Sequence, residues 1–453
     1  MPTVTLSRWT MSYFAVAAGF LFAAEIAMAA GFGYPSAAVG APATLIVVHM
    51  VAIGWLSLAL TGALFQFVPV LIAEPLLWSN LTLPALGLIV GGLVILLFGF
   101  FALDKPILAG HHCLAIGAAL LVLGFLLAIF ILTRTLLNGW PLALPARFAG
   151  AGLISLVATI CLGLVFAVTL SGLVFTDWGV ALLTNAVPIH AFIGLVGWLS
   201  FTAMGVSYRL LSMFMLSPEV ERKSSVFVFA GGSALLAITV FAGSYAAIAG
   251  SFGPGTLIAG LLAGIVILAV YGNDVLALFS RRRRKKLELN SQAAGASLIV
   301  FGISAAAIAG LLAAGRFDDV VIATLYLFVF GWLSGLVLSQ LYKIVPFLTW
   351  LECFGPILGK MPAPRVQDLV DESHGRRWFV LYFASVLAAA AALAFGTTYL
   401  FRAAMVAQFI GTAGILLEVV RARRLYYAAG KFAAGLRRPR LLFCTIAPSS
   451  KGD

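Results

Sequence analysis

The chain has 453 residues, of which 62% are hydrophobic and only 10% are charged, and its mean hydropathy is +1.10. Soluble proteins carry about 25% charged residues, so this composition excludes a soluble enzyme, a disordered protein and a disulfide scaffold. The net charge of +12 would suggest a nucleic-acid partner in a soluble chain, but in a membrane protein it indicates anchoring at the cytoplasmic face. The composition therefore predicts a polytopic membrane protein that has the lipid bilayer, and no nucleic acid, as a partner.

Twelve apolar runs are long enough to cross a bilayer, which takes about 20 residues. Each run is expected to be a helix, because only a helix satisfies its own backbone hydrogen bonds in hydrocarbon. The sequence therefore predicts an all-α integral membrane protein. The predicted spans are 11–33, 42–72, 79–102, 109–133, 148–174, 185–212, 225–250, 254–279, 293–315, 319–347, 376–396 and 398–420.

Lys and Arg residues are distributed unequally between the two sides of this topology. Of the 28 Lys and Arg residues, 25 fall on the side of the chain termini, and the other side has only Lys105, Arg316 and Arg402. Cytoplasmic loops are the basic ones, so both termini are expected in the cytoplasm. We expect a membrane domain over residues 1–424 and a basic cytoplasmic tail over 425–453.

The tetrapeptide Gly-Trp-Leu-Ser occurs three times, beginning at Gly54, Gly197 and Gly331. Successive copies are separated by four predicted helices. A long polar side chain follows each glycine by twelve residues: Gln66, Arg209 and Lys343. These matches predict three four-helix repeats, over about 11–138, 146–279 and 292–421, in which helices 2, 6 and 10 are equivalent around a common centre.

With these repeats, the chain resembles subunit I of the haem–copper oxidases, in particular divergent bacterial members related to the C-type enzymes. The resemblance covers about residues 10–420 and rests on His49-Met-Val-Ala-Ile-Gly-Trp in helix 2 and His190-Ala-Phe-Ile-Gly-Leu-Val-Gly-Trp in helix 6. It implies twelve helices in three arcs, a bacterial inner membrane, and a membrane or periplasmic redox partner. It also implies that His49 matches a ligand of the low-spin haem and that His190 lies on the helix of the first copper ligand.

The chain departs from this family at the other ligand positions. Helices 7 and 10 contain no histidine, and helix 10 has Tyr326 at the position equivalent to His49 and Thr324 at that of His190. A copper centre of the oxidase kind needs three imidazoles, so dioxygen reduction by the family mechanism is not expected.

Four of the five histidines share one depth in the predicted topology: His49, His190, His111 and His112. Neutral imidazole binds haem iron, and small residues beside it leave room for the flat macrocycle. The sequence therefore marks Gly194, Gly197, Trp55, Trp198 and Tyr326 as candidate cofactor-binding residues beside His49 and His190. All four histidines are candidate metal ligands. The alternative is ordinary close helix packing, which also uses glycine and alanine in membranes. His374, in a loop, is expected to be solvated.

Intramembrane polar groups are expensive and therefore mark functional positions. Glu25 in helix 1 is the clearest: it could partner a histidine, take up protons or pair with a cation. Gln66, Arg209 and Lys343 are the other intramembrane polar residues, and Arg209 and Lys343 lie near helix ends, where they can snorkel. Glu418 is expected to pair with Arg421.

The leading functional hypothesis is a degenerate relative of the oxidases that binds haem b for electron transfer or for binding nitric oxide or oxygen. A second hypothesis is haem or copper handling, in transport or assembly, as in the NnrS family. That family's tryptophan-flanked His-x-His-Glu motif is absent here. A third hypothesis is a structural subunit without a cofactor.

Overall fold

The computed structural model describes residues 3–105, 110–218, 222–250, 254–315, 317–359 and 362–428. In this part of the chain twelve helices are long and apolar enough to cross a membrane. We label them α1 to α12. Their bounds are Trp9–Ala29, Pro42–Ile72, Ser79–Leu103, His112–Asn138, Leu144–Leu170, Val187–Met215, Lys223–Ala249, Leu262–Ser280, Leu289–Leu311, Val321–Ile357, Glu372–Ala394 and Thr398–Arg423.

The prediction of an all-α protein with twelve spanning helices is confirmed, and most predicted ends agree within a few residues. The largest difference is α10, which was expected to end at residue 347 and continues to Ile357. A short helix, Asp177–Asn185, also precedes α6. The domain and repeat boundaries stay predictions, and most of the expected basic tail, 429–453, lies outside the described residues.

The helices alternate in direction, so α1 begins and α12 ends on one side of the bundle, here named the terminus side. The opposite side, where α1 ends and α2 begins, is named the far side. α1 packs against both α2 and α12. The first and last repeats are therefore in contact, and the arrangement of helices closes on itself.

The glycine of each Gly-Trp-Leu-Ser copy lets its helix approach the first helix of the same repeat. In all three cases a methyl group on the glycine would lie closer than 3 Å to a side chain of that helix. Such small residues are how membrane helices reach close contact. The side chains contacted would be Phe20 for Gly54, Ser155 for Gly197 and Val300 for Gly331.

The three tetrapeptides also share an unusual backbone. Each lies in a segment of π-helix, whose i→i+5 hydrogen bonds make a wider turn than those of an α-helix. The segments are Met50–Ser57, Ile193–Phe201 and Leu327–Ser334. π-Helical turns inside α-helices are rare and are frequent at functional sites. Nothing in the residue pattern predicted them.

The tryptophan and serine side chains of the tetrapeptides form a closed ring at the centre of the bundle, here named the Trp–Ser ring. Each indole N–H donates to the serine hydroxyl of another repeat: Trp55 to Ser334 at 2.9 Å, Trp198 to Ser57 at 3.0 Å, and Trp332 to Ser200 at 3.1 Å. The three indoles are almost completely buried. The ring relates α2, α6 and α10 by a pseudo-threefold axis, as the sequence repeat predicts.

Candidate functional site

His49 lies in α2 near the far side, one residue before the π-helical segment. Its Nδ1 atom lies 2.7 Å from the carbonyl oxygen of Leu45. A carbonyl oxygen only accepts hydrogen bonds, so the ring proton is on Nδ1 and the lone pair of the neutral imidazole is on Nε2. This is the tautomer in which a histidine binds a metal through Nε2, with its other nitrogen held by a carbonyl group. The ring of Phe100, from α3, packs beside the imidazole with 4.9 Å between ring centroids.

His190 lies near the start of α6, against α5. Gly163 makes room for the ring, because a methyl group there would lie 3.2 Å from the imidazole Cε1 atom. Phe166 contacts the same ring edge-on, with 5.4 Å between centroids. The backbone of Thr159 is beside the ring, but the buried Nδ1 atom makes no regular hydrogen bond. His49 in α2 and His190 in α6 both lie in the half of the bundle next to the far side.

The other residues marked as lining a cofactor have structural contacts of their own. Gly194 and Gly197 face α5, where added methyl groups would lie 3.3 Å from Thr159 and 2.7 Å from Ser155. Trp55 and Trp198 use their N–H groups in the Trp–Ser ring. These contacts account for the four residues through helix packing, and their cofactor role stays a prediction.

His111 and His112 lie together where α4 begins on the far side. Their ring centroids are 4.2 Å apart, His111 is exposed, and the buried Nδ1 atom of His112 has no hydrogen-bond partner. Within the described ranges, no group of three or more His, Cys, Asp or Glu residues is placed to hold a metal ion. The candidate metal ligands therefore do not meet as one such group there.

The third repeat uses the two histidine positions differently. Tyr326, equivalent to His49, is buried and donates a hydrogen bond of 2.7 Å to Gln408 Oε1 in α12. Thr324, equivalent to His190, lines an apolar cleft of about 500 Å³ between α9, α10 and α11 that is otherwise lined by alanine, glycine and leucine. An imidazole is thus replaced by a phenol in one position and by a buried threonine side chain in the other.

The remaining polar residues lie mostly at the terminus side. Gln66 donates to Thr10 at 3.0 Å, and Arg209 is partly buried. Lys343 forms an ion pair with Glu288 and lies over the Phe214 ring, 5.6 Å from its centroid. The expected pair between Glu418 and Arg421 is confirmed at 2.6 Å. His374 is exposed, as expected, beside Asp371 in the first turn of α11.

Sequence reasoning missed Asp274, a completely buried acid in α8. Its two carboxylate oxygens accept hydrogen bonds from Tyr208 at 2.9 Å and from Ser224 at 2.7 Å. The sequence did contain a signal for Asp274, because an acid inside an apolar run marks a functional or structural site. The same signal identified Glu25.

Glu288, next to the first residue of α9, joins three segments at the terminus side. It accepts hydrogen bonds from Arg284, Lys343 and Gln367. Burial raises the pKa of Glu288, but hydrogen bonds from Lys343 and Gln367 and the charges of Lys343 and Arg284 outweigh burial. The pKa therefore lies below its ordinary value of 4.5.

A carboxyl group with a lowered folded-state pKa contributes stability that is fully present above its ordinary pKa and is lost as the pH falls through the folded pKa. We therefore expect Glu288→Gln to lower the thermal midpoint in detergent at neutral pH. The difference in thermal midpoint between Glu288→Gln and the wild type should decrease as the pH falls below about 4.5. Glu74→Gln, at an exposed site, is the control and should leave the midpoint unchanged. A gap that stays constant over this pH range would contradict the ion-pair explanation.

The helices, the Trp–Ser ring and the partly buried imidazoles together define a polytopic membrane protein with a pseudo-threefold core. No protein-family model and no curated protein matches the chain. Among solved structures, the chain is similar to a haem–copper terminal oxidase that was determined as a dimer by cryo-EM. The sequence identity is 13%, the match covers 97% of this chain and 85% of the other, and the TM-score is 0.47.

Haem and an oxidase-type copper centre need different sets of donor atoms. His49 would suit haem iron as a ligand, because its neutral imidazole has Nε2 available and is oriented by the Leu45 carbonyl. The unpartnered Nδ1 atom of His190 is a second candidate donor. A three-imidazole copper centre does not fit, since the described residues contain no group of three such ligands.

Proposed function

We propose that this protein binds haem b in a bacterial inner membrane, with His49 as an axial ligand, and transfers electrons or binds a small gas. The observation that carries the proposal is the hydrogen bond between His49 Nδ1 and the Leu45 carbonyl, 2.7 Å long. It holds a neutral imidazole with a free Nε2 lone pair inside an apolar helix. A polar nitrogen without a partner is unfavourable in that environment unless it binds a ligand. The unequal distribution of Lys and Arg supports cytoplasmic termini.

Haem supplies a reversible one-electron change at iron, and it binds small gases where an axial position is open. His190 decides between these two uses. If His190 supplies a second axial ligand, the iron is closed to gases and electron transfer to a membrane or periplasmic redox partner is favoured. If His190 does not bind the iron, the open position favours nitric oxide or oxygen as the ligand.

The test is the optical spectrum of the protein purified from haem-replete cells. We expect a Soret band and a reduced-minus-oxidised difference spectrum of haem b. His49→Ala should lower the haem content at least about tenfold, since loss of even a supporting contact at a metal site costs that much. His49→Gly with added imidazole should regain the band. His374→Ala, at an exposed histidine, is the matched control and should retain full haem content.

Carbon monoxide distinguishes the two uses of the haem. A spectral change when it is added to the reduced wild type indicates an open axial position. A change seen only in His190→Ala indicates that His190 occupies that position. Absence of a Soret band in the folded wild-type protein would overturn the proposal.

Haem or copper handling is a second candidate function, and the His111–His112 pair with its unpartnered Nδ1 atom favours it. Metal analysis separates the two functions: iron as haem supports the redox function, and copper without iron supports handling. Unchanged spectra and an unchanged cellular phenotype in both His49→Ala and His190→Ala would instead support a structural subunit without a cofactor.

A further inference from the structure

A buried polar network joins α1, α10 and α12 in the half of the bundle next to the far side. At its centre is the Glu25 carboxyl group, which is completely buried. The Oε1 atom of Glu25 accepts two hydrogen bonds, from Gln408 Nε2 at 3.0 Å and from Thr412 Oγ1 at 2.9 Å. Tyr326 donates in turn to Gln408 Oε1 at 2.7 Å. The sequence left open a histidine partner for Glu25, but its partners here are an amide and a hydroxyl.

The second carboxyl oxygen, Oε2, is buried and has no hydrogen-bond partner. The other buried acids differ in this respect. Both oxygens of Asp274 accept hydrogen bonds, and Glu418 has Arg421 on one oxygen and Tyr427 on the other. Glu25 is thus a buried acid in which one oxygen accepts two hydrogen bonds and the other accepts none.

The groups around Glu25 do not neutralise a negative charge. The titratable groups that interact with it are the phenols of Tyr326 in α10 and Tyr382 in α11, and both are neutral as phenols. Arg402, six residues before Gln408 in α12, donates to the Ala29 backbone carbonyl. No ion pair of the described residues includes Glu25. An ionised carboxylate there would lack both a counter-ion and a donor for Oε2, which is costly in an apolar environment.

We propose that Glu25 is a proton-binding site of this protein, which carries its proton on Oε2 as a neutral carboxylic acid. Oε1 already accepts two donors, so Oε2 is the oxygen that takes the proton. Release gives the carboxylate and a proton that passes to water, and uptake reverses this step. Tyr326, which occupies the position of His49 in the third repeat, donates to the same Gln408 amide that donates to Glu25. The proposal does not depend on haem.

The test uses dicyclohexylcarbodiimide on the full chain in lipid vesicles. This apolar reagent reacts with the protonated acid. The acid proton moves to a carbodiimide nitrogen, the carboxyl oxygen bonds to the central carbon, and the adduct rearranges to a stable N-acylurea without loss of atoms. Peptide mapping by mass spectrometry should find the label on Glu25 at neutral pH. Asp274 and Glu418 are internal controls and should remain unlabelled. The label should decrease as the pH rises through the titration of the site.

Two variants separate proton binding from a structural role. Gln408→Leu removes one hydrogen-bond donor to Oε1. That donor stabilises the charged carboxylate more than the neutral acid. The pH of half-labelling should therefore rise by about one unit. Gln66→Leu, in which an equivalent amide that bonds Thr10 is removed, should leave that pH unchanged. Absence of label on Glu25 in the folded wild type, or equal labelling of Glu25 and Glu418, would overturn the proposal. Both results can be read whether or not the preparation contains haem.

Discussion

Trp198→Ala should destabilise the protein by about 3–5 kcal/mol, the range for truncating a large aromatic side chain in a packed core. The indole is 2% exposed, and it connects the second repeat to the first through Ser57. Its removal therefore leaves a cavity at the axis where the three repeats meet. Thermal unfolding in detergent, followed by circular dichroism, measures the loss. Trp178→Ala is the control, because that side chain is 50% exposed.

The hydrogen bonds of the Trp–Ser ring can be separated from its packing. Trp198→Phe keeps an aromatic ring but removes the N–H donor, so it should cost about 1 kcal/mol from the hydrogen bond together with a smaller packing loss. Combining Trp198→Phe with Ser57→Ala gives a double-mutant cycle whose interaction energy reports the bond itself. By pseudo-threefold symmetry, Trp55→Phe and Trp332→Phe should have similar costs. If Trp178→Ala destabilises as much as Trp198→Ala, the ring is not a principal source of stability.

The repeated tetrapeptide shows both what a sequence can predict here and where prediction ends. Three copies at intervals of four helices were sufficient to predict that α2, α6 and α10 are equivalent around one axis. Which tryptophan bonds which serine depends on the rotation of each helix about its own axis. The π-helical segments change that rotation, and no residue pattern in the sequence predicts them. The equivalence was therefore predictable, whereas the ring was not.

The buried acids show the same limit. Glu25 stood out in the sequence because an acid in an apolar run is costly. Its partners, Gln408 and Thr412, are separated from it by more than 380 residues, so only the contact between the first and last helices brings them together. His49 differs, because its hydrogen-bond partner Leu45 is one helical turn away. A local partner of this kind follows from helix geometry alone.

The end of α10 lies beyond the predicted one. The helix contains Pro346, and proline interrupts helices in water. In membranes a proline is tolerated inside a helix, because neighbouring groups satisfy the freed carbonyl. The helix continues past it to Ile357. The added turns carry Thr349 and Glu352, which bind the end of α12.

The ion pair between the ends of α10 and α12 is the site at which a second large loss of stability is expected. Arg423 at the end of α12 contacts Glu352 at 2.7 Å and donates to Thr349 at 3.2 Å. The side chains are only 3% and 9% exposed. Arg423→Ala should therefore cost about 3–5 kcal/mol, because it leaves a buried carboxylate without its counter-ion.

Arg423→Met combined with Glu352→Leu should cost less than Arg423→Ala alone, since the double replacement leaves no buried charge unpaired. The comparison is made by thermal unfolding of the purified full chain in detergent. Arg365→Ala is the control: its pair with Asp368 is 79% and 36% exposed, so the loss should stay within about 1 kcal/mol. A double variant less stable than Arg423→Ala would show that the unpaired buried carboxylate is not the source of the loss, because both variants lack the ion pair.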